Sequence, residues 1–106
     1  MVIFKKLAIA DKKSLREINN LLPQLSTSAK RLSYRDFKKT VHDKNNLFFV
    51  VGDGIKIIGM GLAVFIRTPR GLRARIEDVV IDGTHRRKGL GSLLVRRLVS
   101  EIKKRG

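Results

Sequence analysis

The chain has 106 residues, 42% of them hydrophobic, enough for one core and not for two, so a single compact domain over residues 1–106 is expected. Its 24 Lys and Arg against 9 Asp and Glu leave a net charge of +15, which favours anionic ligands. The absence of cysteine excludes disulfides, thiolate nucleophiles and thiolate metal sites together, and fits a reducing cytoplasm, the expected location.

In chain order, Val2 to Lys6 is short, β-branched and aromatic, and reads as an opening strand. The first thirteen residues, MVIFKKLAIADKK, place lysines inside their only apolar stretch and lack a clean signal-peptide core, so they are not expected to act as one. Asp11 can cap a helix carrying Leu15, Ile18, Leu21, Leu22 and Leu25 on one face, with Pro23 marking its end or a kink. A Ser- and Thr-containing loop from Ser26 to Lys30 leads to a second helix capped by Ser33, with Asp36 at its third position and Leu32 stapled onto Phe37. Leu47 to Val51 is a continuous β-prone run. Gly52-Asp53-Gly54 turns it into a second run from Ile55 to Ile66, making a hairpin. Thr68-Pro69-Arg70-Gly71 gives another turn before a fourth strand from Leu72 to Ile81. From Gly89 onward, Leu90, Leu94, Leu98 and Ile102 recur at helical spacing. The expected fold is α/β in the order β-α-α-β-β-β-α, without repeats, linkers or an apolar run near the about 20 residues that cross a bilayer. His42 and His85 stand far apart with no partner ligand at metal spacing, so both read as ordinary surface or loop residues and no metal site is expected.

The chemistry concentrates in residues 76 to 95, IEDVVIDGTHRRKGLGSLLV, where an apolar strand passes through a basic turn into an amphipathic helix. Gly89 and Gly91 let backbone approach a ligand closely. The N–H groups of Arg87, Lys88, Gly89, Leu90 and Gly91 lie before or within the first helical turn and lack helical acceptors. With the positive end of the helix dipole and the charges of Arg86, Arg87 and Lys88, they form an anion site suited to a pyrophosphate. The plainer reading is a glycine turn with three solvated cations. The segment lacks the GK[ST] of a P-loop, the third glycine of a dinucleotide fingerprint and the G-x-S-x-G of a nucleophile elbow.

Arg86-x-x-Gly89-x-Gly91 resembles the (Q/R)-x-x-G-x-(G/A) acetyl-CoA signature of the GNAT N-acetyltransferases, and IED with R-x-x-GLG is locally similar to glucosamine-phosphate N-acetyltransferases. The element order resembles that family over the whole chain, while the diagnostic match covers residues 76 to 95. The resemblance implies the GNAT acyl-CoA N-acyltransferase-like fold, acetyl-CoA as co-substrate, and direct transfer to an amine. It implies that the backbone of Val79, Val80 and Ile81 pairs with pantetheine and that Arg86 through Gly91 receive the pyrophosphate. Ser92 would add a hydroxyl at the helix start or serve only as a small first-turn residue.

Amine attack on a thioester needs a proton acceptor. Glu77 and Asp78 are adjacent, and adjacent strand residues point to opposite faces, so one of them should face the substrate. The resemblance makes Glu77 the candidate base or amine-orienting group and Asp78 its reserve, against the plainer reading of a salt bridge to Arg73 or Arg75.

The family domain continues with a further strand, a helix and a closing hairpin, whereas this chain stops at Gly106 after the signature helix. A C-terminally truncated domain is therefore expected, with an exposed fourth-strand edge that would favour pairing as a homodimer. Tyr34, the single tyrosine, does not match the family's tyrosine acid and reads as packing. The alternative function is CoA or polyanion binding without catalysis, including nucleic acid. Basic residues run from Lys5 to Arg105 with no tail or single cluster, and 6% aromatic content supplies a poor stacking platform.

Overall fold

The computed structural model describes residues 1–105. Four strands, β1 (Ile3–Lys6), β2 (Asn46–Gly52), β3 (Ile57–Thr68) and β4 (Gly71–Ile81), form one antiparallel sheet in the order β1-β2-β3-β4. Helices α1 (Lys12–Leu25) and α2 (Tyr34–His42) precede β2, and α3 (Leu90–Lys104) follows a single helical turn at Gly83–His85. This is the expected mixed α/β order.

Strand alternation sorts the apolar side chains into two layers. Phe48, Val50, Met60 and Val80 pack under Ile18 and Leu21 of α1 and Phe37 and Val41 of α2. On the opposite face, Phe49, Val51, Ala63 and Ile81 pack under Leu90, Leu94 and Leu98 of α3. The caps are those the sequence indicates: the Asp11 carboxylate accepts from Ser14 N–H at 2.7 Å, and the Ser33 hydroxyl accepts from Asp36 N–H at 3.1 Å. Leu32 packs against the cluster that contains Phe37.

Three local expectations change. Pro23 lies inside α1, two residues before its end, where it forgoes the bond to Asn19 C=O, and Ser26 N–H closes the helix on Leu22 C=O at 3.1 Å. Ile55 belongs to the turn: the Asp53 carboxylate accepts from both Ile55 and Lys56 N–H at 2.8 Å, and β3 starts only at Ile57. Tyr34 is a surface residue whose ring lies 4.5 Å from Lys38 Nζ.

The β3–β4 pairing contains a bulge. Met60 faces Val80 and Leu62 faces Glu77, so Asp78 and Val79 together oppose Gly61, with Asp78 at φ 54°. Directly paired residues share a face, which puts Glu77 with Leu62 on the α1–α2 side. Asp78 borders a cavity on that same side. The extra residue thus cancels the alternation that would have separated the two carboxylates.

The flanking strands crowd Gly59, where a Cβ would lie 2.5 Å from Ile81 Cδ1 and 3.2 Å from the Val80 carbonyl oxygen of β4. The carbonyl belongs to a paired strand and cannot retreat. Gly59→Ala is expected to destabilise the fold by about 2 kcal/mol, read as a lower urea midpoint at unchanged slope.

Candidate functional site

The turn between β4 and α3 is shaped by two left-handed residues, Arg87 at φ 69° and Gly89 at φ 73°. A side chain in this region costs roughly 1 kcal/mol, so Arg87 carries strain that Gly89 avoids. Gly89 caps α3 without a side-chain bond, and its carbonyl accepts from Leu93 N–H at 3.2 Å. The N–H groups of Leu90, Gly91 and Ser92 therefore have no acceptor within the helix. These residues, with Ile81, His85, Arg86, Arg87 and Gly89, line a hollow of about 330 Å3. The structure thus brings together every signature residue except Lys88, which is exposed and outside the lining. At Gly91 an added Cβ would meet nothing nearer than Ile81 Cγ1 at 3.8 Å, so internal packing does not demand a glycine there.

Beside the hollow, β4 is the end strand of the sheet. Asp82 N–H bonds Ile58 C=O at 2.7 Å, and alternation therefore turns the backbone groups of Val80 toward β3 and those of Val79 and Ile81 outward. The Ile81 carbonyl accepts from Arg86 Nε at 3.0 Å. Arg86 thus ties the free strand edge to the rim of the hollow.

A polar network that sequence reading missed anchors this turn to α1. Gln24 Nε2 donates to the Asp82 carboxylate at 2.8 Å, Gln24 Oε1 accepts from Gly83 N–H at 2.7 Å, and the Thr84 hydroxyl donates to the other Asp82 oxygen. His85 Nδ1 lies 2.9 Å from the Thr84 hydroxyl. The only local signal was Asp82 before a turn, since Gln24 is 58 residues away. The Thr84 hydroxyl first, then Gln24, hold the Asp82 carboxyl at about 2, below its ordinary 3.8. A carboxyl whose folded pKa is depressed stabilises the fold above its unfolded pKa and loses that contribution on acidification. Stability should therefore fall as pH drops from about 4 to about 2, and Asp82→Asn should flatten this slope in urea unfolding across that range.

The two candidate carboxylates sit differently. Glu77 accepts from Arg75 Nε at 2.7 Å and is 41% exposed, which is the ion pair anticipated as its plainer role. Asp78 is exposed and borders a cavity of about 340 Å3 between the sheet and the α1–α2 segment. The apolar part of that cavity includes Leu22, Phe48, Met60 and Leu62, and its rim carries Lys30, Arg31 and Asp36. Among the described residues no three His, Cys, Asp or Glu side chains cluster as a metal site, and no helix is long and apolar enough to cross a membrane.

Residues 13–106 match the model of the acetyltransferase (GNAT) family. A crystal structure described as a transcriptional regulator from Bacillus halodurans C-125 superposes with a TM-score of 0.84 at 29% identity, over 100% of this chain and 77% of that one. Glucosamine-6-phosphate N-acetyltransferase from Arabidopsis thaliana gives 0.82 at 25% identity, over 100% and 77%. An aminoglycoside acetyltransferase from an uncultured soil metagenomic sample gives 0.86 at 18% identity, over 99% and 72%, a likeness of fold alone. No curated protein sequence matches the chain.

Proposed function

Since the chain belongs to the GNAT family of acetyltransferases and is an acyltransferase, we propose that it moves an acetyl group from acetyl-CoA directly to a primary amine of a small acceptor. The observation that carries this reading is the hollow before α3, where unpaired N–H groups, two arginines and an internally unneeded glycine surround space for an anion. Acetyl-CoA supplies the activated thioester. Arg86 through Ser92 hold its pyrophosphate by backbone N–H groups and positive charge, with Lys88 adding to the field from outside the lining. Val79, Val80 and Ile81 form the edge along which pantetheine lies, and the outward groups of Val79 and Ile81 pair with it as another strand would.

Val79 N–H is the donor available to the thioester carbonyl as charge develops on its oxygen. The amine nitrogen attacks that carbonyl carbon, a C–N bond forms, the C–S bond breaks and sulfur leaves as the CoA thiolate. The proton lost by nitrogen passes to a carboxylate. Asp78, bordering the cavity, takes first place for this role, and Glu77 on the same sheet face supports it. A reducing cytoplasm suits the cysteine-free chain. Calorimetric titration tests the donor site: acetyl-CoA should bind in preference to ATP, and equal affinity for the two would remove pantetheine recognition from the account.

A second reading is polyanion binding. It is favoured by the net charge of +15 and by a similar structure described as a transcriptional regulator. Under it, affinity for duplex DNA should fall steeply and linearly on a logarithmic salt axis.

A further inference from the structure

The proposed reaction leaves its acceptor unspecified, and the cavity beside Asp78 narrows it. We infer that this cavity takes a zwitterionic amine with a compact apolar body, the chemistry of a free amino acid such as phenylalanine. The inference rests on the acyl-transfer reading only in making this ligand the acceptor. Three observations converge on it. In a chain of net charge +15, the cavity is lined by two cations, Lys30 and Arg31, and two carboxylates, Asp36 and Asp78. That balance suits a ligand of zero net charge. A polyamine would need excess acid, and a sugar phosphate excess base.

Apart from Thr40 the remaining wall carries no polar side chain: Phe48, Met60 and Leu62 from the sheet and Leu22 from α1 would shelter a hydrocarbon side chain from water. At about 340 Å3 the space lies near the lower end of small-molecule pockets, which run from about 300 to about 1,000 Å3.

The cationic side of the cavity is held in place. Buried Asn19 on α1 clamps the backbone of Leu32 from both sides, donating to its C=O at 3.0 Å and accepting from its N–H at 2.8 Å. Lys30 and Arg31 immediately precede this clamp, and neither forms an ion pair among the described residues. Their charge is available to a carboxylate while Asp78 receives the ammonium, which places the amine beside β4.

The test reads binding without any donor. The chain is titrated with phenylalanine, phenethylamine, which lacks the carboxylate, and hydrocinnamate, which lacks the amine. Phenylalanine should bind at least about tenfold more tightly than either, since each analogue loses one charged contact. The double variant Lys30→Gln and Arg31→Gln, both on the exposed surface, should bring phenylalanine down to the level of phenethylamine. Equal binding of all three ligands, a preference for glucosamine 6-phosphate or spermidine, or an unaltered preference in the double variant would overturn the inference. Acetyl-CoA titration of the same sample separates the two readings. A chain that binds acetyl-CoA and ignores phenylalanine has lost only this acceptor class, and the reverse result removes only the donor site.

Discussion

Gly89→Asp should weaken acetyl-CoA binding by at least about 100-fold while leaving the chain folded. Space is available, because a Cβ at Gly89 meets nothing within 4 Å. The backbone tolerates the change as well, since aspartate visits the left-handed region more readily than most residues, and the φ of 73° costs at most about 1 kcal/mol. The carboxylate, however, enters a hollow whose lining is cationic and whose N–H groups await an anion. It both repels a pyrophosphate and competes for its donors. Gly89→Asn separates these effects from bulk: it is nearly isosteric and uncharged, and about tenfold weakening is expected. Calorimetry gives the affinities and circular dichroism the fold. Full-strength binding by the Asp variant would mean that the start of α3 is not the anion site.

The second large effect concerns proton transfer. Asp78→Asn should lower kcat by about 100-fold, within the range that a positioned base supplies, and leave acetyl-CoA affinity unchanged. Asparagine tolerates the φ of 54° as aspartate does, so the bulge should survive. Glu77→Gln should cost less, because Glu77 is held by Arg75 and lies outside the cavity lining. Acetyl-CoA binding distinguishes a base from a scaffold: loss of the base should lower kcat alone, whereas a structural loss would weaken acetyl-CoA binding as well. A larger loss in Glu77→Gln would restore Glu77 to the first place that the sequence resemblance gave it.

These two predictions draw on different kinds of information. The anion site is local. Arg86, Gly89 and Gly91 are consecutive enough that a strand, a turn and a helix start dictate where their backbone groups lie, and the structure gathers them with Ser92 around one hollow. The carboxylates are not local in this sense. IED reads as regular alternation, and only the mismatch of β3 and β4 around Gly61 reveals that one residue of β4 is extra. No property of Glu77 or Asp78 announces the bulge, since φ at Asp78 is set by pairing across two strands. The same limit hid Gln24 and Asn19. Each is a polar residue in an amphipathic helix, and its partner lies in a distant segment.

The order of elements, the helix caps at Asp11 and Ser33, the α3 face and the glycine turn before it follow from the sequence by itself. Each depends on hydrophobic period or on hydrogen bonds within a few residues. Tertiary structure decided the outward edge of Val79 and Ile81, the common face of Glu77 and Asp78, the tie of Arg86 to Ile81 and the charge-balanced cavity. These arise from strand register and from contacts between segments tens of residues apart. Local preference carries no information about either until the chain has closed on its core.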